Sequence, residues 1–251
     1  EILRCLVGSE MCIRDRTSPV NNNKSSYVYF SIFAQKNKEN CLTNSLSCAK
    51  FMLLTMERIL FRILCFFPSQ QGGYKMGNKA FDVTALGELL IDFTENGNSA
   101  QGNPMLEANP GGAPCNVLAM LEKLGKKTAF IGKVGNDMFG TQLKNAVEEV
   151  GIDTRNLVID NEVHTTLAFV HTYPDGDRDF SFYRNPGADM MLTKDEIQED
   201  LIRDSRIFHF GTLSSTHEGV REATRYAIDV AKEAGCIVSF DPNLRPPLWK
   251  S

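Results

Sequence analysis

The stretch Pro110-Gly111-Gly112-Ala113-Pro114-Cys115-Asn116 is the part of the sequence best suited to holding a polar ligand. Two adjacent glycines permit positive φ angles and let a ligand come close to the main chain. They run into an apolar segment of helical period, Val117 to Leu124, which stops at Gly125. Pro114 suits the first turn of such a helix, where an amide N–H would lack a helical partner in any case. The N–H groups left over at that end, together with the helix dipole, favour a polar ligand. Asn116 adds an amide that donates and a carbonyl that accepts, which is what a polyhydroxylated molecule requires. The same residues also suit an ordinary turn before an amphipathic helix, and a glycine pair alone does not separate the two readings. A second polar group, Asp241-Pro-Asn243-Leu-Arg245, follows the apolar run Cys236 to Phe240. In open parallel sheets ligands collect beyond the carboxyl ends of strands, so Asp241, Asn243 and Arg245 stand at a site edge rather than in a core.

The elements that must position these residues alternate regularly. Phe81 to Leu86 is a β-rich run ending at Gly87, and Leu89 to Phe93 continues it with apolar residues around Asp92. A polar loop from Glu95 to Asn109 is expected to lead into the glycine turn and its helix. Thr128 to Ile131 reads as a buried strand closed by Gly132-Lys-Val-Gly135, and Asp137 caps a helix from Met138 to Val150 that Gly151 ends. Strand and helix in this rhythm imply βαβ units and a parallel sheet. Thr165 to His171 and Asp179 to Tyr183 then flank the turn Tyr173-Pro-Asp-Gly-Asp177, which predicts an antiparallel hairpin. Alternation puts Phe180 and Phe182 on one side of it, Ser181 and Tyr183 on the other. Such an insertion can cover a ligand site or decorate an edge. The rhythm then resumes: Thr193 and Glu196 form a capping box for a helix reaching about Arg203, Ile207 to Phe210 is a strand, and Ser215 with Glu218 caps a helix running to Ala234. Cys236 to Phe240 is the last strand.

Composition narrows the function classes. The chain has 251 residues, 42% hydrophobic and 23% charged, which is globular in character and enough for one large domain or two small ones. A net charge of −4 and a pI near 5.7 offer no electrostatic footprint for nucleic acid. The most apolar stretch, Phe51 to Phe67, is broken by Glu57, Arg58 and Arg62 and falls short of the ~20 apolar residues of a membrane span. Seven cysteines without a C-x-x-C pair indicate neither a disulfide framework nor a zinc site. His164, His171, His209 and His217 form no cluster, so no metal site is expected. Cys115 and Cys236 lie in apolar surroundings and read as buried, reduced thiols of a cytoplasmic protein. Residues 1–75 read differently from the rest. They hold Cys5, Cys12, Cys41, Cys48 and Cys65, keep no lasting period, and open on a run, Cys5 to Arg16, like the peptide obtained when sequencing-adapter DNA is translated. This segment is expected to be a disordered, non-native leader, with Met76 as the start of the folded part.

Five blocks in order make the remainder similar to the ribokinase-type (pfkB) carbohydrate kinases, and most similar to the fructokinases among them. They are Gly87-Glu-Leu-Leu-Ile-Asp92, Asn109-Pro-Gly-Gly-Ala-Pro-Cys-Asn116, Gly132-Lys-Val-Gly-Asn-Asp-Met-Phe-Gly140, Phe182-Tyr-Arg-Asn-Pro-Gly-Ala-Asp189 and Asp241-Pro-Asn-Leu-Arg245. The family's first signature is filled here by Gly111, Gly112, Asn116, Gly125 and Gly135. The resemblance implies an α/β fold, a ribokinase-like parallel-sheet sandwich with an inserted antiparallel lid at about residues 95–110 and 163–185, over a sugar kinase portion spanning residues 76–251. It implies that Asp92 binds sugar hydroxyls, that Gly111 and Gly112 let the backbone approach the ring, and that Asn116 bonds a hydroxyl. Phe182 and Arg184 would face the sugar from the lid. Arg245, with Asn243, would lie near the transferred phosphoryl group, where a guanidinium can neutralise developing charge.

The implied reaction is ATP-dependent phosphorylation of fructose to fructose 6-phosphate, with ATP and Mg2+ as cofactors and a small sugar as the sole kind of partner; a homodimer through the lid is compatible with it. A keto-deoxy sugar acid is the alternative substrate, with Arg184 supplying the positive charge that its carboxylate would want. The family's second signature, a Gly-Ala-Gly-Asp turn carrying the aspartate base, has no match in this sequence. The base and the main nucleotide motifs are therefore expected beyond Ser251, and the chain as given is expected not to turn over, leaving at most a sugar-binding remnant. A dinucleotide-dependent oxidoreductase also fits the βαβ rhythm, but no G-x-G-x-x-G follows the first strand.

Overall fold

The computed structural model describes residues 12–14, 28–29, 31–33, 79–173, 178–243 and 248–249. Most of the segment expected to be a leader thus lies outside the described residues. Its described residues form the short strands β1 (Cys12–Arg14), β2 (Val28–Tyr29) and β3 (Ser31–Phe33). β1 pairs with β3, and β2 lies parallel to the edge of the main sheet.

The main sheet is built from β4 (Phe81–Leu86), β7 (Thr128–Gly135), β8 (Asp153–Asp160), β11 (Ser205–Gly211) and β12 (Ile237–Asp241). Its order is β2-β12-β11-β4-β7-β8, and every pairing is parallel. The chain runs from β4 outward to β7 and β8 on one side, then returns to β11 and β12 on the other. The order therefore reverses beside β4, which is where open α/β sheets leave a crevice at their carboxyl ends. β7 is buried along its whole length, as a central parallel strand covered on both faces must be. Helices α1 (Ala113–Lys123) and α2 (Met138–Val150) cover one face around Val83, Leu118, Phe130 and Leu143. The short α3 (Glu199–Arg203) and α4 (Glu218–Glu233) cover the other, where Val220, Ala223, Ala227, Val230 and Ala231 form one helical stripe against Phe208 and Ile131.

A second sheet stands apart from this sandwich. It contains β5 (Leu90–Asn98), β6 (Pro104–Gly111), β9 (Leu167–Thr172) and β10 (Arg178–Tyr183) in the order β10-β9-β5-β6. The expected hairpin is β9–β10, antiparallel, with Phe180 and Phe182 stacked on one face at 6.0 Å between ring centroids. The stretch Glu95 to Asn109, expected to be a polar loop, is instead the greater part of a second hairpin, β5–β6, with its turn at Ser99 to Asn103. Its outer residues are exposed, so its strands carry little apolar signal and are held by ladder bonds rather than by core burial.

Three further expectations need correction. β8 has no counterpart in the sequence reading, because Asn156 and Leu157 are its buried residues and charged or half-exposed positions surround them. The helix expected from Thr193 to Arg203 is split into a 3-10 turn, Lys194–Glu196, and α3. The reciprocal cap is present, since the Thr193 N–H donates to the Glu196 carboxylate at 2.8 Å. Asn156 then reaches in from β8: its Nδ2 donates to the Glu196 carbonyl (2.7 Å) and its Oδ1 accepts from the Gln198 N–H (2.7 Å), so backbone groups that would continue the helix are taken. Finally, α4 begins after His217 rather than Ser215, which belongs to the turn Leu213–Ser215.

Asp137 caps α2 as expected, accepting from the Gly140 N–H at 2.8 Å, and Gly151 ends it at φ 103°. The same carboxylate accepts from the N–H and hydroxyl of Thr165, both at 2.8 Å, and so ties α2 to the chain just before β9. Burial pushes the Asp137 carboxyl up, but the donors from Thr165 and Gly140 outweigh it and hold it below the usual carboxylate range. Its contribution to stability is thus present at neutral pH and lost as the pH falls through that lowered value. Asp137→Ala removes the cap, about 1 kcal/mol, and leaves the buried Thr165 N–H without its acceptor, about 1–3 kcal/mol. A total loss of about 2–4 kcal/mol is expected in urea unfolding at pH 7, shrinking on acidification.

Candidate functional site

The glycine turn sits where the lid meets the sandwich. β4 ends at Leu86, the chain passes through Gly87, Glu88 and Leu89 into β5, and β6 returns to deliver Gly111 to the start of α1. Leu90 pairs with Gly111 and Asp92 with Asn109 across this hairpin. The Asp92 carboxylate lies over Gly111: a β-carbon there would stand 2.2 Å from its Oδ2. Gly112 has φ 122°, and a β-carbon on it would meet the Glu88 carbonyl at 2.3 Å. Both glycines are required by close approach, one of a carboxylate and the other of the main chain. One turn into α1, the Asn116 N–H donates to the Gly112 carbonyl at 3.0 Å. Asp92, Gly111, Gly112 and Asn116 therefore belong to one turn-and-helix junction at the carboxyl edge of the sheet.

The lid aligns Phe182 with that junction. Ala168 is the register partner of Asp92 on β5 and of Phe182 on β10, so the three side chains share one face of the sheet in a row. Asp92 and Phe182 are thus two strand spacings apart, ~10 Å. On this face Ala168 and Val170 are buried, whereas Ser181 and Tyr183 on the other are exposed.

Arg184 is placed differently from the expectation. It is buried, and its guanidinium is engaged in the protein: Nε and a terminal nitrogen donate to Asp189 Oδ2 (2.8 and 2.6 Å), another to the Thr216 hydroxyl (2.7 Å), with a longer bond to the Leu213 carbonyl (3.2 Å). Asp189 also accepts from the Thr166 hydroxyl. The pair therefore joins the chain entering β9, the chain leaving β10 and the loop after β11.

Asn243 lies just past the end of β12, its N–H donating to Asp241 Oδ1 at 3.0 Å while the Thr212 hydroxyl bonds the carbonyls of Pro242 and Asn243. β12 and β4 are separated by β11, so Asn243 and the start of the glycine junction occupy the same carboxyl edge. Arg245 lies outside the described residues.

One polar residue of this region was not expected to matter. Glu88 is buried, its Oε1 accepts from the Ala113 N–H at 2.9 Å, and its Oε2 has no hydrogen-bond partner. Burial pushes its carboxyl up to about 7, offset in part by backbone donors. The available signal was a lone carboxylate between Gly87 and the apolar run Leu89 to Ile91. Among the described residues no group of three or more His, Cys, Asp or Glu is placed to hold a metal ion, and no helix is long and apolar enough to cross a membrane.

Comparisons with known proteins identify the family to which this fold belongs. The chain is 47% identical to a fructokinase of Solanum tuberosum over 171 residues, covering 67% of this chain and 54% of that one. It is 46% identical to fructokinase-1 of Zea mays over 171 residues, covering 67% and 53%. Among solved structures, the fructokinase of Xylella fastidiosa superposes with a TM-score of 0.64 at 37% identity, covering 68% of this chain and 53% of that one. The same Xylella enzyme with bound ATP gives a TM-score of 0.62. The chain thus spans about half the length of the relatives it matches. The family model described as pfkB family carbohydrate kinase matches residues 80–251, and with more than half of the chain covered the protein belongs to that family.

Proposed function

We propose that the full-length protein is an ATP-dependent fructokinase, transferring a phosphoryl group to the primary hydroxyl of fructose. The observation that carries this reading is the Asp92 carboxylate lying over Gly111 at the junction with α1, in a chain whose plant relatives are fructokinases. A sugar offers only hydroxyl groups for recognition. A carboxylate accepts from two of them, while the Asn116 amide, one turn into the helix, adds a donor and an acceptor. Phe182, in register on the same face as Asp92, supplies an apolar surface for the carbon side of the ring. When bound, Mg-ATP supplies the phosphoryl group and part of its counter-charge. This chain's contribution there is Asn243, just past the end of β12, together with Arg245, to which the sequence resemblance assigns the task of balancing charge on the phosphoryl oxygens. Closure of the lid sheet would exclude water from the reaction.

The alternative substrate, a keto-deoxy sugar acid, needs a cation facing its carboxylate. Arg184 was the candidate, and its charge is balanced by Asp189 in the interior, which favours the uncharged sugar. The test is phosphorylation of fructose and of a keto-deoxy sugar acid by the full-length protein. Fructose is expected to be turned over and the acid much less; the opposite order would sink the fructokinase reading. Asp92→Asn is expected to lower kcat/KM for fructose by about 10–100-fold, the worth of a charge-assisted hydrogen bond or two. An unchanged kcat/KM would remove Asp92 from the site.

A further inference from the structure

Glu88 is buried where β4 hands the chain to the lid, and the sugar-binding reading gives it no task. Its side chain takes the Ala113 N–H, and its own carbonyl lies against Gly112 closely enough to exclude a β-carbon. One residue therefore holds both sides of the Gly112–Ala113 step, with its main chain on one and its carboxyl on the other. That step leads from Gly111, beneath Asp92, to the turn of α1 that carries Asn116. Any shift of the step moves Asn116 relative to Asp92. We propose that Glu88 is a positioning residue that sets the separation of the two sugar-binding groups by pinning the Gly112–Ala113 step.

The inference rests on the sugar-kinase reading and adds to it a dependence on protonation. An ionised carboxylate bonds an N–H more strongly than a neutral acid does, and the N-terminal end of α1 favours negative charge. Burial works the other way, and Oε2 is left without a partner to share the charge. The charged and titratable groups facing Glu88 are Asp189 in the turn after β10, Arg184 at the end of β10, and the Cys115 thiol on α1. Asp189 and Arg184 are paired with each other, so their fields largely cancel, and burial pushes the Cys115 thiol well up, keeping it neutral. The group that changes charge near neutrality is thus Glu88 itself, which burial raises to about 7.

The experiment measures KM and kcat for fructose between about pH 6 and pH 9 in the full-length protein, wild type, Glu88→Gln and Glu88→Ala. Wild-type KM is expected to rise about 5–10-fold as the pH falls through about 7, the difference between a charge-assisted and a neutral acceptor, with kcat moving much less. Gln keeps an acceptor for the Ala113 N–H but does not titrate, so Glu88→Gln is expected to hold KM flat at the wild type's low-pH value. Glu88→Ala is expected to raise KM at every pH. A Gln variant that keeps the wild-type pH profile of KM overturns the proposal. If the wild type phosphorylates no fructose, the kinase reading fails, and melting temperatures then judge the clamp separately. A carboxyl raised by folding contributes stability below the ordinary carboxylate range that is lost as the pH climbs to about 7. The wild type should show that loss and Glu88→Gln should not; identical profiles would dismiss a titrating Glu88.

Discussion

Asp189→Ala is expected to cost about 3–5 kcal/mol of stability, because it leaves the Arg184 guanidinium charged and unpaired in the interior. Both side chains are only 2% exposed, so solvent does little to screen the charge that remains. The Thr216 hydroxyl and the Leu213 carbonyl still accept from Arg184, but neither carries a compensating charge. The damage also has a direction. Asp189 is bonded to Thr166 before β9 and to Arg184 after β10, so its loss frees both roots of the lid hairpin at once. Fructose kcat/KM should therefore fall even where the variant remains folded. A double variant, Arg184→Met with Asp189→Leu, separates charge from shape. Replacing a buried pair by apolar residues of similar size is often close to neutral, so this variant should recover most of the stability but not the lid's anchorage to Thr216. Urea unfolding with a constant m-value reads the first effect and steady-state kinetics the second. A loss below about 1 kcal/mol for Asp189→Ala would place the pair in the class of exposed ion pairs and refute its structural role.

That node marks the boundary between what local sequence carries and what it does not. Asp137 and Gly151 announce the two ends of α2 because capping is a contact between near neighbours in the chain. The stripe of α4 and the apolar runs of β4, β7 and β11 are legible for the same kind of reason, since burial imposes a period on consecutive residues. The β5–β6 hairpin and β8 escape this logic. Their strands are held by pairing partners, and their side chains between Glu95 and Leu106 or around Thr154 answer to solvent rather than to a core. The early end of the 3-10 turn before α3 is imposed by Asn156, forty residues away from Glu196 in sequence. The site divides along the same line. Gly111, Gly112 and Asn116 stand out only because five blocks in order accompany the glycine pair, which alone fits any turn before a helix, and the lid row of Asp92 and Phe182 follows from strand alternation once the register is known. Arg184 could not be assigned from sequence, because a lone arginine gives no sign of whether its partner is a ligand or Asp189. Glu88 was visible but mute: only the fold shows that its carboxyl reaches the Ala113 N–H.

Gly112→Ala should be the most damaging single change in the glycine junction. At φ 122° an alanine is strained whatever space surrounds it, at about 1–3 kcal/mol for a sparsely allowed backbone conformation. Its β-carbon would also stand 2.3 Å from the Glu88 carbonyl, and that atom belongs to the main chain, with no rotamer to escape through. Forced repacking of this kind costs about a further 1–3 kcal/mol. A total near 2–6 kcal/mol is expected by urea unfolding. Gly111→Ala provides the contrast. Its φ is unremarkable in hand, and the atom that its β-carbon meets at 2.2 Å is the Asp92 carboxylate, which can rotate away. Stability should then fall by only about 1 kcal/mol, while displacement of Asp92 raises the fructose KM by about tenfold or more. The pair of variants thus separates two functions of neighbouring glycines: Gly112 lets the backbone turn against Glu88, and Gly111 makes room for the Asp92 carboxylate, the proposed sugar ligand. Equal losses of stability in both, with fructose KM unchanged in Gly111→Ala, would mean that Asp92 packs the turn and does not bind the substrate.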